Sequence, residues 1–135
     1  MSQYEYKERR QRQRFLAKRG EATCFWVAFD GNRIPLIDLS LEGFSISSSS
    51  QPTSDQPFAF ELRLEGIPDK IRGLAQHMNF IPGEPEGQIG CRFISMEGEG
   101  AIRLHEWLTI HVIASASVRI TAKEAEKIVE GPSLI

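Results

Sequence analysis

The sequence predicts a mainly β protein, a small antiparallel barrel followed by C-terminal helices. Three observations lead there. Short segments between residues 24 and 95 alternate apolar and polar side chains at period two. Turn-forming clusters separate them, at Asp30-Gly31-Asn32, at Ser47 to Pro57 and at Ile81 to Gly87. Beyond Glu97 the alternation stops and helical spacing begins.

Taken in order, residues 1–20 are polar and basic with weak periodicity, which predicts a flexible arm rather than core. TCFWVAF puts Phe25, Val27 and Phe29 on one face, and with RIPLID it forms a hairpin around Asp30-Gly31-Asn32. A further strand-like stretch runs through DLSLEGFSIS, interrupted at Glu42-Gly43. FAFELRLEG alternates cleanly, with Phe58, Phe60, Leu62 and Leu64 opposite Ala59, Glu61 and Arg63, as in a half-buried antiparallel strand. IRGLAQHMNF and GQIGCRFIS complete the series, the latter with Ile89, Cys91 and Phe93 on one face. Next, AIRLHEWLTIHVIA places Ile102, His105 and Leu108 at helical spacing. ITAKEAEKIVEG is a second helix, with Thr121 and Glu124 as a capping box and Gly131-Pro132 as its stop. The domain therefore divides into an arm (1–20), a barrel (21–96) and a helical segment (97–135).

A chain of 135 residues suits one domain with a buried core. Its hydrophobic fraction of 41% and charged fraction of 25% exclude wholesale disorder. No apolar run is long enough to span a bilayer, so no membrane insertion is expected, and the N-terminus lacks the apolar stretch of a secretory signal. Cys24 and Cys91 sit in apolar, strand-like surroundings and read as buried free thiols. A cytoplasmic protein is the expectation.

Enzymatic chemistry is not indicated, and no catalytic residue is assigned. The three histidines, His77, His105 and His111, have no metal-ligand spacing among themselves or with a cysteine or carboxylate. Neither a nucleophile elbow nor a phosphate-binding glycine loop is present. No metal or resident cofactor is expected.

Two features ask for a ligand. RRQRQRF, Arg9 to Phe15, concentrates four arginines in six residues. The formal net charge of −2 hides an asymmetry, since residues 1–20 hold seven cations against two carboxylates and the remainder is −7. A basic arm on an acidic body points to anion binding. Guanidinium groups bind phosphate bidentately and stack on flat rings, which suits a guanine nucleotide. The second feature is DLSLEG, residues 38–43. Asp38 and Ser40 alternate outward, where Asp38 can accept from a guanine N–H edge or hold an arginine. Ser40 can donate to a phosphate, and Gly43 lets a ligand approach the backbone.

Arg10 and Arg14 form RxxxR, while Asp38, Ser40 and Gly43 form DxSxxG. In this order, followed by Gly90 to Phe93 as a closing GxxF, they resemble the PilZ domain, a bacterial receptor module for cyclic di-GMP. The likeness covers roughly residues 8–112. It implies a six-stranded antiparallel β-barrel with a C-terminal helix, over which the arginine segment folds to clamp the ligand. By the same resemblance Arg10 and Arg14 contact phosphates and guanine faces, and Asp38, Ser40 and Gly43 face a guanine and the phosphodiester ring. An arginine just before RxxxR, here Arg9, goes with an intercalated pair of cyclic di-GMP molecules. GLAQHMNF departs from relatives that carry a basic or aromatic residue there, so Gln76, His77 or Asn79 must substitute, or that contact is absent.

The expectation is a cyclic di-GMP receptor that changes the conformation of its arm and signals to a protein partner. The alternative is a PilZ-like adaptor acting by protein contacts without nucleotide. Binding of a nucleic-acid polymer ranks last, because the barrel segment is acidic and its aromatics alternate inward. The second helix either packs on the barrel or makes a homodimer or effector contact.

Overall fold

The computed structural model describes residues 12–132 except Asp30, with Phe29 described by its backbone alone. Six strands close into an antiparallel barrel: β4 (Phe25–Phe29), β5 (Asn32–Leu39), β6 (Gly43–Ser48), β7 (Phe58–Leu64), β8 (Lys70–Ile81) and β9 (Gly87–Met96). Their order around the barrel is β5-β4-β7-β8-β9-β6, and β6 returns to β5. Closure depends on β5 serving two neighbours. Its first half, Asn32 to Pro35, pairs with β4, and Leu36 to Leu39 pair with β6, with a register shift between Leu36 and Asp38.

Three short strands precede the barrel. β1 (Phe15–Leu16) lies along the far side of β5, with Phe15 opposite Leu39 and Leu16 opposite Asp38. β2 (Lys18–Arg19) and β3 (Ala22–Thr23) form a small hairpin. Its turn passes through Gly20 at φ 61°, a conformation in which a side chain would be strained. Residues 12–19, expected to belong to a flexible arm, are therefore laid against the barrel in this structure.

The alternation read in the sequence fills the interior. Phe25, Val27, Leu36, Leu39, Phe44, Ile46, Phe60, Leu62, Ile71, Ala75, Ile89 and Cys91 are buried. Phe44, Phe60 and Phe93 form an aromatic cluster with ring centroids 5.3–6.2 Å apart. Burial in this apolar setting pushes the Cys91 thiol up to about 12, and both cysteines are free.

Helix α1 (Gly100–Ser115) closes one side of the core with Leu104, Trp107, Leu108 and Val112. Of the residues picked out for helical spacing, Leu108 is buried, His105 is half-buried and Ile102 faces solvent. The buried stripe is displaced from that trio because Leu104 and Trp107 carry the packing. Helix α2 (Ala122–Glu130) packs on α1 through Ala125 and Val129. Its capping box forms as expected: Glu124 N–H donates to Thr121 Oγ1 (3.1 Å), and Thr121 N–H donates to Glu124 Oε1 (2.9 Å). Among the described residues, no helix is long and apolar enough to cross a membrane.

Candidate functional site

Arg14 of RxxxR meets Asp38 of DxSxxG on the outer face of the barrel. Leu39 enters the core, so its neighbour Asp38 points outward. β1 runs beside it, and its entry brings Arg14 over the same position. Arg14 Nη1 donates to Asp38 Oδ1 at 3.0 Å, with both side chains partly exposed. A contact between residues 24 apart in sequence thus joins RxxxR to DxSxxG. Arg9 and Arg10 lie outside the described residues.

Ser40 and Gly43 do different work from that suggested by alternation alone. Strand β5 ends at Leu39, and the chain then turns tightly, with Ser40 N–H donating to Gly43 O at 2.8 Å. Ser40 is 2% exposed, and its Oγ accepts from the N–H groups of Glu42 (3.1 Å) and Gly43 (3.2 Å). The hydroxyl therefore satisfies the backbone of the turn and does not stand free on the surface. At Gly43, strand β6 approaches β9 so closely that a Cβ would sit 2.0 Å from the Cys91 carbonyl oxygen. Glycine is required here by contact with backbone, since the positive-φ glycines lie elsewhere.

The segment before Arg14 is held at both sides. Arg12 N–H donates to Glu42 Oε1 at 2.6 Å, within the DxSxxG turn. Its guanidinium donates to the carbonyl of Glu130, Gln13 N–H donates to Gly131 O at 3.2 Å, and Arg12 bridges Pro132. Arg12 and Gln13 are thus laid between the motif turn and the C-terminal end of α2. Farther along, His111 of α1 donates from Nε2 to the Leu16 carbonyl at 2.7 Å, because a carbonyl can only accept. Burial holds the His111 pKa below its ordinary value, outweighing the bond to Leu16 that acts the other way. His111 is thus a neutral pin between α1 and β1, with its ring edge-on to Phe25 at 5.1 Å.

Sequence spacing could not reveal that His105 Nε2 lies 2.7 Å from Glu130 Oε2, joining α1 to α2. Glu126 is the third member of this group, whose potential ligand atoms lie within 4.8 Å of one another. Gln76, His77 and Asn79 all lie on β8. Gln76 donates to Asp55 O (2.6 Å), His77 Nδ1 donates to Ser54 O (3.2 Å), and Asn79 Oδ1 accepts from Gly90 N–H (3.1 Å). The first two hold the loop between β6 and β7 to β8, and Asn79 braces β9.

No protein-family model matches the sequence, and no curated protein does so significantly. Solved structures share the fold. An uncharacterized Legionella protein, Lpg0364, superposes with a TM-score of 0.52 at 14% identity, over 73% of this chain and 92% of its own. The Bacillus subtilis inhibitor of motility MotI/DgrA gives a TM-score of 0.56 at 10% identity, over 80% of this chain. The match spans 53% of that protein's length. At these identities the likeness establishes a common barrel architecture: a closed six-stranded antiparallel barrel with C-terminal helices.

Proposed function

We propose that this chain is a cyclic di-GMP receptor that passes the signal to a protein partner. The observation that carries the reading is the 3.0 Å contact between Arg14 and Asp38. It brings together on one barrel face the two motifs that carry the PilZ resemblance. An exposed ion pair of this kind is weak, about 0–1 kcal/mol, so a phosphodiester can displace the carboxylate at little cost. Arg10 and Arg14 then take phosphate oxygens and guanine faces, and the freed Asp38 carboxylate accepts from a guanine N–H edge. Ser40 and Gly43 contribute by fixing the turn and the close strand approach beneath the ligand. Arg9 supplies the extra cation for a second, intercalated ligand molecule.

Signal output follows from where the arginine segment is anchored. Residues that would close on the ligand are continuous with Arg12, which holds Glu42 and the end of α2. Ligand capture that shifts this segment must loosen or retighten those bonds, changing the surface around α2. The Bacillus neighbour is named an inhibitor of motility, so motility is the first pathway in which to seek a partner. The competing reading, an adaptor without nucleotide, is favoured by the exposed Ile102 and Ile110 on α1, a natural protein-contact surface.

Calorimetric titration with cyclic di-GMP, with GTP as control, separates the two. The receptor reading expects saturable binding, lost in an Arg10→Ala/Arg14→Ala variant, with a stoichiometry near two per chain. A folded protein that shows no binding leaves the adaptor reading.

A further inference from the structure

The barrel face that carries Asp38 extends beyond the two motifs, and strand register identifies the rest of it. One row of partners crosses five strands: Leu16, Asp38, Ser45, Gly90 and Asn79. The neighbours Leu39, Phe44, Ile46, Ile89 and Cys91 are all core, so this row points outward. A second row, two residues along β6 and β9, runs Gly43, Arg92, Gln76. Arg92 therefore stands on the same face as Asp38, two strand spacings across and two residues along, about 12 Å away.

Arg92 differs from every other cation on the six barrel strands. Arg33 bonds Glu65, and Arg63, Lys70 and Arg72 all converge on Glu61. Arg92 is exposed and forms no ion pair with the described residues; its Nη2 donates to the neutral Gln76 Oε1 at 3.3 Å. Gln76 is in turn oriented, because its Nε2 donates to Asp55 O at 2.6 Å and leaves Oε1 toward Arg92. A guanidinium is thus held by a fixed neutral partner, with its remaining N–H fork unspent on protein anions.

A second observation on this face also points to a ligand. Ser45, between Asp38 and Gly90, is 5% exposed, and its Oγ has no hydrogen-bond partner among the described residues. A buried, unpaired hydroxyl is costly unless something arrives to bond it. Gly90 beside it carries no side chain, and Asn79 covers that position with its carboxamide oxygen 2.3 Å from where a Cβ would be.

Resting on the receptor reading above, we infer that Arg92 reads the second guanine of a bound cyclic dinucleotide. Its fork donates to the O6 and N7 acceptors of the base, while Ser45 bonds the ligand between Arg92 and Asp38. A cyclic dinucleotide has two bases, and this face offers an anionic end at Asp38 and a cationic end at Arg92. Adenine presents an N–H donor where guanine presents O6, so a bidentate arginine discriminates between them.

The test titrates the full chain, Arg92→Ala and Arg92→Lys with cyclic di-GMP and with cyclic di-AMP. Arg92→Ala is expected to weaken cyclic di-GMP at least about tenfold, with a smaller change for cyclic di-AMP, so that the preference contracts. Arg92→Lys recovers little, since an ammonium cannot make the paired bonds. A cyclic di-GMP Kd unchanged within about twofold in Arg92→Ala, at wild-type Tm, overturns the inference. Equal losses for both ligands, restored by lysine, also overturn it and leave only a charge effect. Wild-type protein that binds neither dinucleotide fails at the receptor reading itself, a result visible before any variant is compared.

Discussion

Arg14, just before β1, and Asp38, in β5, meet at 3.0 Å and link the two halves of the candidate motif pair. Their contact ties the segment that enters β1 to the outer face of β5. Because both side chains are partly exposed, the pair contributes little to stability, about 0–1 kcal/mol. Arg14→Ala is expected to leave urea denaturation nearly unchanged while abolishing cyclic di-GMP binding. A large loss of stability would instead make Arg14 a structural residue.

Ser40→Ala behaves differently. It removes the acceptor for the N–H groups of Glu42 and Gly43, the latter in a buried glycine. The expected loss is about 1–3 kcal/mol, read as a lower denaturation midpoint. Binding falls as a consequence of the deformed turn, so amide exchange at residues 42 and 43 should quicken in the same variant. Lost binding with wild-type exchange would point to direct contact between the hydroxyl and ligand.

Gly43→Ala tests the close approach of β6 to β9. The added methyl would meet the Cys91 carbonyl oxygen at 2.0 Å, and backbone cannot swing aside as a flexible side chain can. A destabilisation of about 1–3 kcal/mol or more is expected. Gly31→Ala, at φ 77° with open space around it, is the matched control for strain without a clash. If Gly43→Ala is the milder change, the strands are free to separate there.

His111 gives the fold a pH dependence. Its folded pKa lies below the ordinary value of 6.5, so the unfolded chain takes up the proton first as pH falls. Stability from this group is full above about 6.5 and is lost as pH falls through the window down to the depressed folded pKa. Thermal denaturation at pH 7 and pH 5 should show a larger drop for wild type than for His111→Phe. Equal drops would mean that His111 does not titrate differently on unfolding.

Most of the fold was legible in the sequence because period-two alternation and turn composition are local signals. FAFELRL predicts its own strand, and Thr121 with Glu124 predicts its own cap. The geometry around the candidate site was half legible. DLSLEG marks where β5 gives way to a turn, but alternation extended past Leu39 puts Ser40 outside. A register shift after Leu36 and the end of β5 at Leu39 turn it inward to satisfy its own turn. Arg92 and Ser45 carried no signal in a linear reading, since their place on the face of Asp38 depends on register between strands. The glycines at 43 and 90 were the available hint, because glycine within a strand often marks close approach. Arg12 escaped notice because its partner Glu130 is 118 residues away.

That last separation bears on when the site comes into being. Hairpins of the barrel pair neighbours in the chain and can form early, whereas the clasp of Arg12 and Gln13 on Glu130, Gly131 and Pro132 must wait for a loop of more than a hundred residues to close. The face that carries Arg14 and Asp38 is thus the last part to assemble and the first to open. It shares its fate with the end of α2, so exchange protection in residues 12–17 and 125–131 is expected to vanish together, well below the energy of global unfolding.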